Sequence, residues 1–154
     1  MPLFQKINDD MKAAMKRGDS ARLEVLRFAL AGLHAVQKEK QLKDKDAAGA
    51  AAPLTDDEVV GVLQKDAKRR KESVELFRQG NRADLVAKEE SDLAVLAEYL
   101  PKELSREELA AIVDGVKAQG FTDFNAVMRE TMKVVKGRAD GKAVGEVIKE
   151  RLAA

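Results

Sequence analysis

Hydrophobic residues recur along the chain at intervals of three and four, the spacing that places them on one face of an α-helix. Leu3, Ile7, Met11 and Ala14 begin this pattern. It predicts seven helices and therefore an all-α fold. The expected spans are about 3–17, 20–43, 56–79 and 82–100, followed by three shorter helices between residues 105 and 152. The second helix has a wide apolar arc, which predicts contact with several neighbours.

Sequence signals mark the expected helix ends. Thr55 and Glu58 have the spacing of a capping box, as do Ser105 and Glu108, and each box precedes an apolar stripe. Asn81 is expected to cap the fourth helix. Further expected boundaries are Gly18, Gly80, Pro101, Gly120, Thr122 or Asp123, Gly137 and Asp140.

The pattern also predicts two domains that meet near Pro101. Residues 1–101 form an N-terminal helical domain that contains a helical hairpin, and residues 102–154 form a small C-terminal three-helix bundle. Within the first domain, the stretch from about Asp44 to Pro53 consists mainly of small residues. Its low complexity predicts a mobile, Ala-rich loop.

The hairpin of the third and fourth helices has a register that can be predicted. Residues that face each other in antiparallel helices share a constant index sum, because both helices rise equally per residue. A sum of 162 pairs Phe77 with Leu85 and Arg70 with Asp92. The first interpretation of Arg70 and Asp92 is a structural ion pair that fixes this register. The alternative is that Arg70 lies in a groove and binds an anion.

Composition limits the chemistry that the chain can perform. The 154 residues include no Cys, which excludes disulfides, thiolate metal sites and Cys nucleophiles. His34 is the only histidine, so we predict no metal site, no cofactor and no catalytic constellation. We expect no membrane span. Because Asp9 and Asp10 lie early and no apolar segment precedes them, we expect a cytoplasmic protein.

Two groups of basic residues remain as candidate binding sites. Lys65, Lys68, Arg69, Arg70 and Lys71 spread around the third helix, which is typical of a solvated surface. The second group lies around the turn between the sixth and seventh helices, here called the basic turn (residues 136–142). Its predicted nucleic-acid-binding residues are Lys133, Lys136, Arg138 and Lys142. Cations beside the free N–H groups of a helix start suit phosphate, although a solvated turn has the same composition.

Several segments resemble a known family. Val95–Leu109, Lys68–Phe77 and Gly80–Leu85 resemble the YqeY-like proteins. The tail, Val127–Gly141, is similar to the C-terminal domain of the B subunit of glutamyl/aspartyl-tRNA amidotransferase. The resemblance covers nearly the whole chain. It implies an all-helical N-terminal part and a three-helix tail that contacts tRNA.

The resemblance also orders the candidate functions. The first is a non-catalytic module that associates with tRNA or another structured RNA. The second is an adaptor of the translation machinery that binds a protein, for example an aminoacyl-tRNA enzyme. The third is a carbon–nitrogen ligase with glutamine as amido-N-donor, which tail homology alone suggests. Nothing in the sequence resembles the amidotransferase catalytic domain.

Overall fold

The structure is a computed structural model, and it describes residues 1–44 and 53–153. These residues form seven α-helices and no strand, which confirms the all-α fold. The Ala-rich loop was predicted at about 44–53, and its residues 45–52 lie outside the described residues. The helices are α1 Leu3–Arg17, α2 Ser20–Lys43, α3 Asp56–Gln79, α4 Ala83–Ala97, α5 Arg106–Ala118, α6 Phe124–Val135 and α7 Gly141–Ala153.

The chain divides into two compact units, Met1–Leu100 and Pro101–Ala154. In the first unit, α2 packs against α1, α3 and α4, which confirms its predicted central place. Apolar burial stabilises this arrangement, because each fully buried Leu or Ile contributes about 1.5–3 kcal/mol. The fully buried large side chains of this core are Ile7, Leu26, Leu33, Leu63 and Leu96.

The second unit is a bundle in which α5, α6 and α7 each pack against the other two. Its core is built from small branched side chains, and one polar residue, Thr131, is fully buried among them. Because three short helices enclose little volume, small apolar residues suffice to fill the core. Its buried members are Leu109, Val113, Val116, Val127, Val135, Val144, Val147 and Ile148.

Both predicted capping boxes are present. The Thr55 hydroxyl accepts a hydrogen bond from the Glu58 N–H, and the Glu58 carboxylate accepts one from the Thr55 N–H. Ser105 and Glu108 form the same reciprocal pair at the start of α5. Each box satisfies backbone donors that have no partner within the helix.

The predicted start of α4 was wrong. Asn81 does not cap this helix but adopts a left-handed conformation with φ of 56°. The hydrogen bond from Arg82 N to Phe77 O, at 2.8 Å, closes the end of α3 and requires such a residue, and Asn tolerates it. Arg82 therefore occupies the N-cap position of α4, and its side chain makes no capping hydrogen bond.

Candidate nucleic-acid interface

The basic turn reverses the chain within a few residues. Gly137 was expected to end α6, but Lys136 is its C-cap, in the left-handed conformation with φ of 50°. Gly137 follows with φ of 77°. The Lys136 N–H donates to Met132 O and the Arg138 N–H donates to Val135 O. Two successive left-handed residues therefore hold Lys136 and Arg138 on either side of a tight turn.

Arg138 fastens this turn to the start of the second unit. Its Nε donates to the Lys102 carbonyl at 2.9 Å, and its own carbonyl accepts from the Leu104 N–H at 2.8 Å. These two bonds bring Lys102, an exposed residue, beside the turn. Sequence reasoning missed Lys102, because nothing in the chain indicates a contact across 36 residues.

The pKa of Glu108 is lowered, first by the hydrogen bond from the Ser105 N–H, and in part by the positive charges of the same two residues, Arg138 and Lys102. The Glu108 carboxylate and the Ser105 hydroxyl are both used in the capping box of α5. Cations therefore surround a carboxylate that already has hydrogen-bond donors.

Free N–H groups were expected at the start of α7, but Asp140 accepts hydrogen bonds from two of them. Asp140 Oδ1 accepts from the Ala143 N–H at 2.8 Å, and the Asp140 carbonyl accepts from the Val144 N–H. This confirms Asp140 as the cap, and it also places a carboxylate where a phosphate would bind. Lys142, in the first turn of α7, is exposed. A phosphate at this end of the bundle would therefore be bound by side chains.

Lys133 forms an ion pair on α6. It is exposed on α6, but its Nζ lies 2.9 Å from Glu130 Oε1, and Arg129 Nε lies 3.8 Å from the same oxygen. Glu130 therefore offsets the charge of Lys133. We define the basic surface as Lys102, Lys136, Arg138 and Lys142.

The Arg70 guanidinium lies at the predicted position, facing α4. Its Nη1 is 2.9 Å from Asp92 Oδ2 and 3.2 Å from Glu89 Oε2, and its Nε is 3.2 Å from Asp66 Oδ1. The Arg70 side chain is only 11% exposed. An anion approaching Arg70 would meet three carboxylates, so this geometry favours the structural ion pair over the anion-binding groove.

A second polar cluster lies in the first unit and was not predicted. The Tyr99 hydroxyl donates to Asp10 Oδ2 at 2.6 Å and accepts from Arg22 Nη2 at 3.1 Å, while Arg22 also pairs with Glu98. Burial, followed by the hydrogen bond to Asp10, raises the pKa of Tyr99 above its ordinary value. That hydrogen bond is also the largest cause of a lowered pKa at Asp10. The cluster joins α1, α2 and the turn after α4.

The remaining candidates do not add a site. His34 is exposed, and its ring meets Phe4 edge-on at 5.3 Å between centroids. Over residues 1–44 and 53–153, no three potential metal-binding side chains are grouped so that they could hold an ion. In the same part of the chain, no helix combines the length and the apolar character needed to cross a bilayer.

Comparison with known proteins gives three relatives. A protein of Pyrenophora tritici-repentis named altered inheritance of mitochondria protein 41, mitochondrial, is 30% identical over 96% of this chain and 80% of its own length. The protein of the same name in Lachancea thermotolerans is 33% identical over 61% of this chain. An uncharacterized protein of Schizosaccharomyces pombe is 42% identical over 36% of this chain. The chain spans 46% of the length of each of these last two proteins.

The family model described as Yqey-like protein matches residues 4–152. The match includes the basic turn and all of the seven helices except the first residue of α1 and the last residue of α7, so it does not depend on the tail alone. The chain belongs to the YqeY-like family.

Proposed function

We propose that the chain is a non-catalytic module that binds tRNA or another structured RNA through the basic surface. The observation that carries this proposal is the conformation of Lys136. A left-handed backbone costs a residue other than Gly about 1–2 kcal/mol, and Lys136 adopts one directly before a glycine. Strain of this kind is concentrated at functional sites, which supports a role for the Lys136 side chain.

The arrangement of the other cations supports the same function. Arg138 uses Nε to hold the Lys102 carbonyl, so one side chain organises the turn and adds a charge to it. Lys102 and Lys142 are exposed. Lys and Arg contacts to phosphate position a protein on RNA without reading its sequence. None of the four residues is aromatic, so the proposed binding is led by shape and charge.

The surroundings of the basic surface favour binding over catalysis. The Glu108 carboxylate near Arg138 and the Ser105 hydroxyl are both engaged in the capping box of α5. A general base or a nucleophile must be able to reach a substrate, and these two side chains are already hydrogen-bonded within the capping box.

The cytoplasmic location of the chain stays a prediction, since two relatives have names that include the word mitochondrial.

The experiment compares binding of a fluorescein-labelled tRNA transcript to the full chain and to charge-reversed variants. Lys136→Glu with Lys142→Glu is expected to abolish binding at low salt, because two phosphate contacts become repulsive. Lys12→Glu with Lys16→Glu is the matched control, since both residues are exposed on α1. Equal affinity of the two variants would overturn the proposal, and so would a wild-type chain that does not bind the transcript.

A further inference from the structure

Phe28 is an aromatic residue at the surface of the first unit. It lies on α2, and 47% of it is exposed, although its neighbours Val25 and Ala29 are buried in the core. Ala31, the next residue on this face of α2, is also exposed and is small. The phenyl ring is thus accessible, and the exposed neighbour on its face of α2 carries only a methyl group.

Two guanidinium groups fix the Phe28 ring. The Arg69 Cζ lies 4.6 Å from the ring centroid and the Arg70 Cζ lies 5.5 Å from it. Arg70 is itself held by Asp92 and Glu89. The ring therefore rests against a group that does not move freely, and little conformational entropy is left to lose when a ligand stacks on it.

The cations next to Phe28 remain accessible to solvent. The Arg69 side chain is 59% exposed although it pairs with Asp66. Lys65, one turn before Arg69 on the same face of α3, is also exposed. An exposed aromatic ring beside a stacked guanidinium and a lysine matches the two needs of an unpaired nucleotide, a flat surface for the base and a cation for the phosphate.

We infer that Phe28, Arg69 and Lys65 form a binding site for single-stranded RNA, in which an unpaired base stacks on Phe28. This inference rests on the proposed function, because it adds a contact for unpaired nucleotides to a module that binds structured RNA. The stacking site lies within the first unit, and the basic surface lies within the second. The stacking site reads no hydrogen-bond pattern, so it accepts any base.

The test measures the affinity of the full chain for two labelled probes, a single-stranded oligouridylate and a fully paired, blunt-ended RNA duplex. Phe28→Leu keeps an apolar side chain and removes the ring. It should weaken oligouridylate binding about tenfold, within the range for one stacked base, and leave duplex binding unchanged. Phe28→Tyr should bind both probes as the wild type does. Leu76→Ala is the control, since Leu76 is 66% exposed on α3.

Each result decides between the two RNA sites. If the wild type binds the duplex and not the oligouridylate, the stacking site is wrong and the basic surface stands. If it binds neither probe, both proposals fail. The stacking site is also overturned if Phe28→Leu binds oligouridylate like the wild type, or if Leu76→Ala or Phe28→Tyr weakens it equally. In that case the alternative is that the exposed Phe28 ring contacts a protein partner.

Discussion

Asp92 and Tyr99 are buried in the first unit within clusters that provide hydrogen-bond partners for them. In the same unit, Asp66 Oδ2 and Arg70 Nε are buried and make no hydrogen bond. Tyr99 is 6% exposed, and its hydroxyl has both a donor and an acceptor partner. Asp92 is also 6% exposed and accepts from Arg70 and Lys88. An unpaired buried polar group costs more than a hydrogen bond contributes, so these clusters define which packing of the helices is stable.

Tyr99 should make this unit sensitive to alkaline pH. Its pKa is raised in the folded chain, so its contribution to stability is complete below the ordinary value of 10.0 and is lost as the pH rises through the folded value. Because Tyr99 is the only tyrosine, absorbance at the tyrosinate band titrates it alone. We expect a midpoint above 10.0 in the folded chain and an ordinary one in denaturant. Equal midpoints would contradict the buried hydrogen bond to Asp10.

Arg70 should be less replaceable than Asp92. Removing Arg70 leaves three carboxylates together, whereas removing Asp92 leaves Arg70 with two acidic partners. We expect Arg70→Met to cost about 3–5 kcal/mol of unfolding free energy, Asp92→Leu to cost less, and the double variant to cost less than Arg70→Met. Urea unfolding followed by Tyr99 fluorescence measures all four proteins. Additive effects would show that the two residues do not interact.

These residue contacts differ in how far the sequence predicts them. Arg70 and Asp92 lie on consecutive antiparallel helices, where one turn sets the register and a constant index sum follows. Asp10 lies on α1 and Tyr99 lies in the turn after α4, which are not consecutive elements, so their contact depends on how α1 and α4 pack around α2. The hydrophobic periodicity of a helix does not specify the angle at which it crosses a neighbouring helix. For the same reason Lys102 was missed in the basic surface.

Among the elements, α6 ends at a residue that is not the one expected from conformational preference, since a lysine and not a glycine takes the first left-handed position. Lys136 is left-handed, and the sequence suggested that Gly137 alone would end the helix. Glycine signals predict that a helix ends nearby, but they do not decide which residue takes the left-handed position. Here the Lys136 N–H still donates the last helical hydrogen bond, to Met132 O, and Lys136 is the first left-handed residue.

Replacing Lys136 by Gly should therefore separate stability from binding. Gly relieves the left-handed strain of about 1–2 kcal/mol but loses about 0.5–1 kcal/mol through its greater freedom in the unfolded chain. We expect Lys136→Gly to raise the unfolding free energy by up to about 1 kcal/mol and to weaken tRNA binding. Urea unfolding followed by circular dichroism, together with binding of the tRNA transcript, measures both effects. A variant that is more stable and binds equally well would contradict a role for this side chain.

At the scale of the whole molecule, each unit has its own apolar core. The hydrophobic pattern predicted both sets of helices because each set has its own stripes. It did not predict how the second unit begins, since Arg138 donates to the Lys102 carbonyl and accepts from the Leu104 N–H, and both partners precede the first helix of that unit.

A fragment that contains residues 101–154 should fold alone as a marginally stable three-helix domain. A chain of about 50 residues buries a smaller fraction of its surface than a larger domain does, so we expect a low unfolding temperature. The fragment 103–154 lacks the Lys102 carbonyl that accepts from Arg138 and should be less stable by about 1 kcal/mol. Thermal unfolding of both fragments by circular dichroism is the measurement. A random-coil spectrum of the longer fragment at low temperature would show that the second unit needs the first.

The salt dependence of tRNA binding tests the basic surface most directly. Each neutralised phosphate contributes about −0.9 to the slope of log affinity against log salt on a duplex. With four cations on the basic surface, the wild type should give a slope between about −3 and −4. Lys136→Gln with Lys142→Gln should reduce that slope by about two, whereas Lys12→Gln with Lys16→Gln should leave it unchanged. A wild-type slope near zero, or an equal reduction by both pairs, would contradict the account.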